Sequence, residues 1–129
     1  MTSVLDTVTV DCADPVRLAE FWAASLGWTV GDVDEEDAFV SPAGTTDETP
    51  WQGLLFQKVP EGKVVKNRVH LDLRPEDSMD AEVERSVALG ATVQGRVDVE
   101  GSFWTVMLDP EGNEFCILRG PQDGWSREA

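Results

Sequence analysis

The sequence is short of the residues on which much protein chemistry depends. It has a single histidine, His70, and two cysteines, Cys12 and Cys116. It has no glycine-rich phosphate loop, no H-E-x-x-H, no C-x-x-C and no G-x-S-x-G. Two cysteines are too few for a disulfide framework. Positive charge is also scarce, with 10 basic against 25 acidic residues and a net charge of −15. Gripping a phosphate backbone needs a basic footprint, so nucleic acid is excluded as a partner, and an anionic membrane surface with it. No run of about 18 apolar residues is present, and "MTSVLDTVTV" lacks the basic start of a signal peptide. The expectation is a cytoplasmic protein with reduced thiols and no membrane partner. The acidic balance itself is explained by solubility. Four of the ten basic residues, Lys58, Lys63, Lys66 and Arg68, gather in "KVPEGKVVKNR". That patch reads as a solvated linker between strands, or as an attractor for an anionic ligand.

What is present is ordinary for a globular chain. At 129 residues, with 41% hydrophobic and 27% charged, one domain with a real core is expected. The first strand signal is "VLDTVTVDC", Val4 to Cys12, with Val8, Val10 and Cys12 on one side and Leu5, Thr7, Thr9 and Asp11 on the other. Asp14 reads as an N-cap with Pro15 behind it, and Leu18, Phe21, Trp22 and Leu26 form the apolar stripe of the helix that follows. Gly27 closes that helix, and "WTV" opens the next strand.

The second half repeats this order. "RVHLDL", Arg68 to Leu73, alternates again, with Val69, Leu71 and Leu73 opposed to His70, Asp72 and Arg74. A helix is expected from about Asp77, striped by Met79, Val83 and Val87, and ending at Gly90 before "ATV". "LGWTV" starts at Leu26 and "LGATV" at Leu89, an offset of 89 − 26 = 63 that also sets Asp14 on Asp77 and Thr7 on His70. "SPAG" at Ser41 parallels "DPEG" at Asp109, each ahead of an apolar strand, "GLLFQKV" and "EFCIL". Two βαβββ units of about 60 residues are too long and too mixed for solenoid repeats. They read as two modules of one α+β domain spanning 1–129, module one over about 4–60 and module two over about 66–119. The tail "GPQDGWSREA" reads as loop.

In "DPEGNEFCIL", Asp109 can hydrogen-bond a tight turn, Pro110 fixes its second position and Gly112 takes its fourth. Phe115 and Ile117 then alternate with Glu114, Cys116 and Leu118. The paired modules, "LGWTV" after the first helix and this closing motif together resemble the vicinal oxygen chelate superfamily. Glyoxalase I, extradiol dioxygenases, fosfomycin-resistance enzymes and bleomycin-resistance proteins belong to it. "KNRVHLDL" is further similar to the glyoxalase-like domain proteins common in actinobacteria. The resemblance implies a curled mixed sheet around a cleft. It also implies metal ligands at four cleft-facing positions, on the first and last strand of each module. Those positions fall on Thr7, on His70, on Cys116 in place of the usual glutamate, and on Leu55 or Gln57. Only His70 keeps a usual ligand, so no cofactor is expected. If a divalent metal does bind, the expected set is His70, Cys116 and Glu114: a site built from His70 and Cys116 is softer than Mg²⁺ or Mn²⁺ prefers and suits zinc, which wants three or four good protein ligands, and Glu114 lies on the same strand face.

His70 is the candidate catalytic residue, as a ligand contact or proton-transfer group. Cys116 reads as a small buried residue or, with His70 beside it, as a nucleophile. Trp22 is expected in the core, and Trp28, Trp51 and Trp104 on strands as core or cleft wall. Trp104 and Val106 share one face of "SFWTVML", and Phe103, Thr105 and Met107 the other. Trp125 is either an interface anchor or exposed. The expected cleft contacts are Thr7, Leu55, Gln57, His70, Asp72, Trp104, Glu114 and Cys116. The functional expectation is a protein binding an aromatic or amphipathic small molecule without the family's metal, and forming a homodimer. The alternative is a lyase, isomerase or dioxygenase with an altered metal site, or a metal-free catalyst using His70.

Overall fold

The computed structural model describes residues 2–127. The chain divides into two compact units, Met1–Gly62 and Lys63–Ala129. The first contains β1 (Thr7–Cys12), α1 (Pro15–Leu26), β2 (Thr29–Val33), β3 (Asp37–Ser41) and β4 (Gly53–Lys58). The second contains β5 (Asp72–Leu73), α2 (Met79–Leu89), β6 (Thr92–Val99), β7 (Ser102–Leu108) and β8 (Glu114–Leu118). Each unit is a four-stranded mixed sheet, ordered β1-β4-β3-β2 and β5-β8-β7-β6. In each, the first and last strands of the unit run parallel and the other pairs antiparallel.

In module one, local chemistry fixes both ends of α1. The Asp14 carboxylate accepts the Arg17 N–H at 3.3 Å, Pro15 occupies the first turn where no N–H partner is needed, and Gly27 ends the helix in a left-handed conformation. Leu18, Ala19, Phe21 and Trp22 are buried, Trp22 set edge-on to Phe21 with ring centroids 5.3 Å apart. They pack against the sheet face carrying Ala38, Val40, Leu54 and Phe56, all at most 2% exposed. Each large side chain buried in this way contributes roughly 1.5–3 kcal/mol. β4 enters the sheet through Gly53, whose φ is 123° and whose missing Cβ would stand 2.2 Å from the Val40 carbonyl oxygen. The first strand is shorter than its sequence pattern. Val4 and Leu5 are 68% and 67% exposed and lie outside β1, because the ladder with β4 starts at Thr7 opposite Gly53.

Module two departs further from its sequence pattern. Of "RVHLDL", only Asp72 and Leu73 are strand, and Val69 is 75% exposed. Its parallel partner explains this. Asp72 pairs with Cys116 and Leu73 with Ile117, so the same register would set His70 against Glu114, the first residue of β8. Before Glu114 the chain is a turn. Asp109 Oδ1 accepts the N–H groups of Glu111 and Asn113, each at 2.9 Å, and the Gly112 N–H donates to the Asp109 carbonyl at 2.8 Å. Arg68 and Val69 therefore have no strand to pair with, and the ladder ends.

α2 is likewise not a copy of α1. Its N-cap is Ser78 rather than Asp77, with Ser78 Oγ accepting the Ala81 N–H at 3.1 Å. Met79 is buried as expected, but Val87 is 47% exposed and Ser86 is buried in its stead. The tail is not merely a loop either. Pro121–Asp123 forms one 3₁₀ turn, and Asp123 Oδ2 accepts the N–H of Met79 at 2.7 Å and of Gly120 at 2.8 Å. A Cβ on Gly120 would stand 2.1 Å from the Asp77 carbonyl oxygen, so this close approach requires glycine. Trp125 is half-buried, with the guanidinium carbons of Arg74 at 3.9 Å and Arg127 at 5.2 Å from its ring centroid.

The Asp123 carboxylate satisfies an orphan donor at the start of α2 and ties the tail to the helix. Replacing Asp123 with alanine is expected to cost about 2 kcal/mol, read as a lower urea midpoint at unchanged slope.

Candidate functional site

The site candidates in module two are arranged by strand register. Residues directly paired across adjacent strands point to the same side of a sheet. Asp72 pairs with Cys116, Cys116 with Val106, Trp104 with Leu118, and Trp104 also with Val97. These six side chains share one face. The other face carries Thr105, Met107, Phe115 and Ile117, all buried, and α2 packs on it, with the Thr105 hydroxyl donating to Met79 Sδ at 3.4 Å. Trp104, Val106, Leu118 and Val97 are only half-buried on the face opposite the helix. The sequence left the two faces of "SFWTVML" undistinguished, and the packing of α2 distinguishes them.

At the β5 edge of this face, His70, Asp72 and Cys116 come together, with one donor atom from each lying within 4.8 Å of the others. His70 Nδ1 stands 3.8 Å from Asp72 Oδ1, the two side chains being 42% and 53% exposed. That separation is too long for a hydrogen bond and amounts to an ion pair when the imidazole is protonated. Cys116 is buried and has no disulfide. Burial pushes its thiol pKa up, and the Asp72 carboxylate adds to this by its charge and by accepting a hydrogen bond, with Lys66 opposing. A thiol so placed stays protonated at neutral pH and is a poor free nucleophile.

Glu114 does not join this group, contrary to the sequence-based set of His70, Cys116 and Glu114. Its carboxylate accepts the Asn67 N–H at 2.9 Å and pairs with Lys63 Nζ at 3.0 Å, while Lys63 also reaches the Val65 carbonyl. The Asn67 amide side chain donates back to the Glu114 carbonyl at 3.3 Å. Where the β5–β8 ladder stops, this network holds the incoming chain to β8. It also accounts for Lys63 of the basic patch, which serves an internal ion pair. Asp72 takes the place expected of Glu114, because it is paired directly with Cys116 rather than one side-chain step along the same strand.

In module one, Thr7, Leu55 and Gln57 lie on the sheet face opposite Leu54 and Phe56. The Thr7 hydroxyl is engaged by the Asp6 carboxylate at 2.6 Å. Leu55 pairs with Thr9, and Gln57, exposed, pairs with Asp11. Under the internal offset of 63, Thr9 corresponds to Asp72. Asp72 pairs with Cys116, so the module-one counterpart of Cys116 is Leu55 rather than Gln57. Trp28 and Trp51 are half-buried and lie just outside β2 and β4.

Two βαβββ units, each laying its helix on a mixed sheet whose first and last strands run parallel, define the glyoxalase/bleomycin-resistance class of fold. Residues 7–118 match the model of the glyoxalase-like domain, and the chain belongs to that family. Solved structures of the same fold include a glyoxalase/bleomycin resistance protein/dioxygenase family enzyme from Burkholderia phytofirmans PsJN. It is 18% identical, with a TM-score of 0.68 over 89% of this chain and 97% of that one. A mutant of the fosfomycin resistance protein FosX from Listeria monocytogenes, complexed with Mn(II) and 1S,2S-dihydroxypropylphosphonic acid, is 18% identical, with a TM-score of 0.69 over 93% and 92%. A glyoxalase-related enzyme from Fulvimarina pelagi is 16% identical, with a TM-score of 0.65 over 91% and 88%. No curated protein matches the chain. No helix among the described residues is long and apolar enough to cross a membrane.

The Asn67 and Lys63 contacts lower the Glu114 pKa from 4.5 to about 2. A depressed carboxyl pKa stabilises the fold above the unfolded value and loses that contribution as pH falls through the folded one. The stability of the native chain is therefore expected to decline between pH 4.5 and about 2. Glu114→Gln should be less stable than the native chain at neutral pH and flatter across that window, as read from urea midpoints against pH.

Proposed function

We propose that the protein binds an aromatic or amphipathic small molecule, with Trp104, Val106 and Leu118 as the apolar platform and His70 and Asp72 as polar contacts. The observation that carries this reading is the shared face. Half-exposed apolar side chains lie beside a histidine and a carboxylate on the side of the module-two sheet opposite its helix. Ligand sites combine an apolar wall with a few placed polar groups in this way. The hard-cation chemistry implied by the Mn(II) in the FosX complex fits poorly. Leucine offers no donor, and Thr7 is already engaged by Asp6.

A second reading, a lyase, isomerase or dioxygenase with an altered metal site, is favoured by the grouping of His70, Asp72 and Cys116. There the metal would polarise a substrate oxygen. The chain's own groups would orient the substrate against Trp104, and His70, if not a ligand, would carry a proton. A homodimer belongs to the same proposal, supported by Val64, Val65 and Val69, which are 93%, 70% and 75% exposed. So does a cytoplasmic location, which suits two buried cysteines that are not joined in a disulfide.

Tryptophan fluorescence against a panel of aromatic metabolites and glycopeptide drugs tests the binder. At least one compound is expected to quench or shift the emission, and His70→Ala to weaken its binding about tenfold. A panel in which nothing changes the emission of natively folded protein would count decisively against it. Sedimentation at micromolar concentration is expected to give a dimer mass, and a monomer mass refutes that part.

A further inference from the structure

We infer that Arg74, Arg119 and Arg127, with Arg96 at their margin, form a site for a compact, multiply charged oxyanion: a phosphate, or clustered carboxylates, carried on a small molecule. The site lies past the last residue of β5, whereas His70 precedes the first. It does not depend on the ligand reading above. Three observations carry it.

The first is convergence. Arg74 and Arg119 directly follow the adjacent parallel strands β5 and β8, so both leave the sheet at one end. The antiparallel ladder that pairs Trp104 with Leu118 brings Phe103 to the same end. The guanidinium carbons of Arg96 and Arg119 stand 4.3 Å and 5.6 Å from the Phe103 ring centroid. Those of Arg74 and Arg127 stand 3.9 Å and 5.2 Å from the Trp125 centroid. Arg74 Nη1 donates to the Arg119 carbonyl at 2.7 Å and so joins the two groups. Four of the chain's ten basic residues are thereby gathered within module two.

The second is the lack of a counter-charge. The chain has 25 acidic residues, yet among the described residues none forms an ion pair with Arg74, Arg119 or Arg127. The ion pairs that do form there engage Lys63, His70, Arg85 and Arg96. Asp98 is the partner of Arg96 at 3.1 Å. Asp123 feels the charges of Arg96 and Arg119, but its Oδ2 accepts the N–H groups of Met79 and Gly120. Desolvation, then the charges of Arg119 and Arg127, lower the Arg74 pKa, with Asp72 opposing. Cations gathered in this way repel one another, and a bound anion relieves that repulsion.

The third is donor supply. A guanidinium carries its N–H groups in a planar fork that matches phosphate and carboxylate oxygens. Arg74 uses one donor on the Arg119 carbonyl. A guanidinium lying over a ring keeps its edge donors, so the contacts with Trp125 and Phe103 orient these side chains without consuming their hydrogen bonds. Arg74 and Arg127 are exposed and Arg119 is half-buried, so an anion reaches them from solvent. The chain's net charge of −15 repels an extended polyanion. That restricts the occupant to a compact anion, which only the local arginines feel strongly.

The test titrates the full chain by calorimetry with inorganic pyrophosphate and, separately, with citrate, at constant ionic strength. At least one of the two is expected to bind at about one equivalent per chain. Binding of pyrophosphate alone assigns the site to phosphate, binding of citrate alone assigns it to carboxylates, and binding of both supports the shared oxyanion chemistry. Arg74→Gln and Arg127→Gln alter exposed side chains, and each should weaken binding about tenfold. Arg17→Gln, on α1 in module one, removes the same charge elsewhere and should change affinity less than about twofold. Circular dichroism checks that each variant is folded, and Arg127→Gln decides the matter if Arg74→Gln is not. No binding of either anion at about 10 mM, undiminished affinity in a folded Arg74→Gln or Arg127→Gln, or an equal loss in Arg17→Gln would each overturn the inference.

Discussion

Parallel strands β5 and β8 share only two residue pairs, Asp72 with Cys116 and Leu73 with Ile117. The chemistry of module two hangs on that short ladder. Parallel pairing fixes which side chains are neighbours and which face they take. A slip of one residue would turn Cys116 toward α2 and bring Phe115 or Ile117 onto the face opposite the helix. The ladder cannot extend toward Arg68 because β8 begins where the Asp109 turn ends. Its brevity leaves His70 at the margin of the sheet, exposed, beside a carboxylate on the last two paired residues and a buried sulfur.

Other contacts secure what the short ladder cannot. Glu114 binds Asn67 and Lys63 and so holds the approach to β5 by side chains instead of backbone pairs. At the other end of β5, Arg74 stacks on Trp125 and donates to the Arg119 carbonyl at 2.7 Å. Arg119 and Arg96 both approach the Phe103 ring. In a chain of net charge −15, these arginines are gathered on aromatic faces.

The two modules run one scaffold with different side chains. Module one packs α1 with Leu18, Phe21 and Trp22, whereas module two packs α2 with Met79 and a buried Ser86. The weaker apolar stripe of α2 is supplemented by Asp123, reaching in from the tail to the helix start. At the position of Cys116, module one has Leu55, and at the position of His70 it has Thr7, whose hydroxyl serves Asp6. At these aligned positions the imidazole and the thiol stand in module two, against a hydroxyl and an aliphatic side chain in module one.

Much of the scaffold was legible along the chain. The caps at Asp14, Gly27 and Gly90, the turn at "DPEGN" and the α+β class follow from local rules: a side-chain acceptor for an orphan N–H, a glycine past a helix end, period-two against period-3.6 alternation. The offset of 63 carried the repeat. Local pattern failed where pairing partners decide. "RVHLDL" alternates well enough for a six-residue strand, but a strand exists only where another lies beside it, and here that is two residues long. Glu114 and Asp72 are both acids near Cys116 in pattern. One is drawn away by Lys63 and Asn67, and the other is set against the sulfur by register. The sequence by itself determined which elements form and which donors exist. Only the tertiary structure decided which face α2 leaves to Trp104 and which carboxylate meets His70 and Cys116, because both depend on strand register, a relation between segments about forty residues apart.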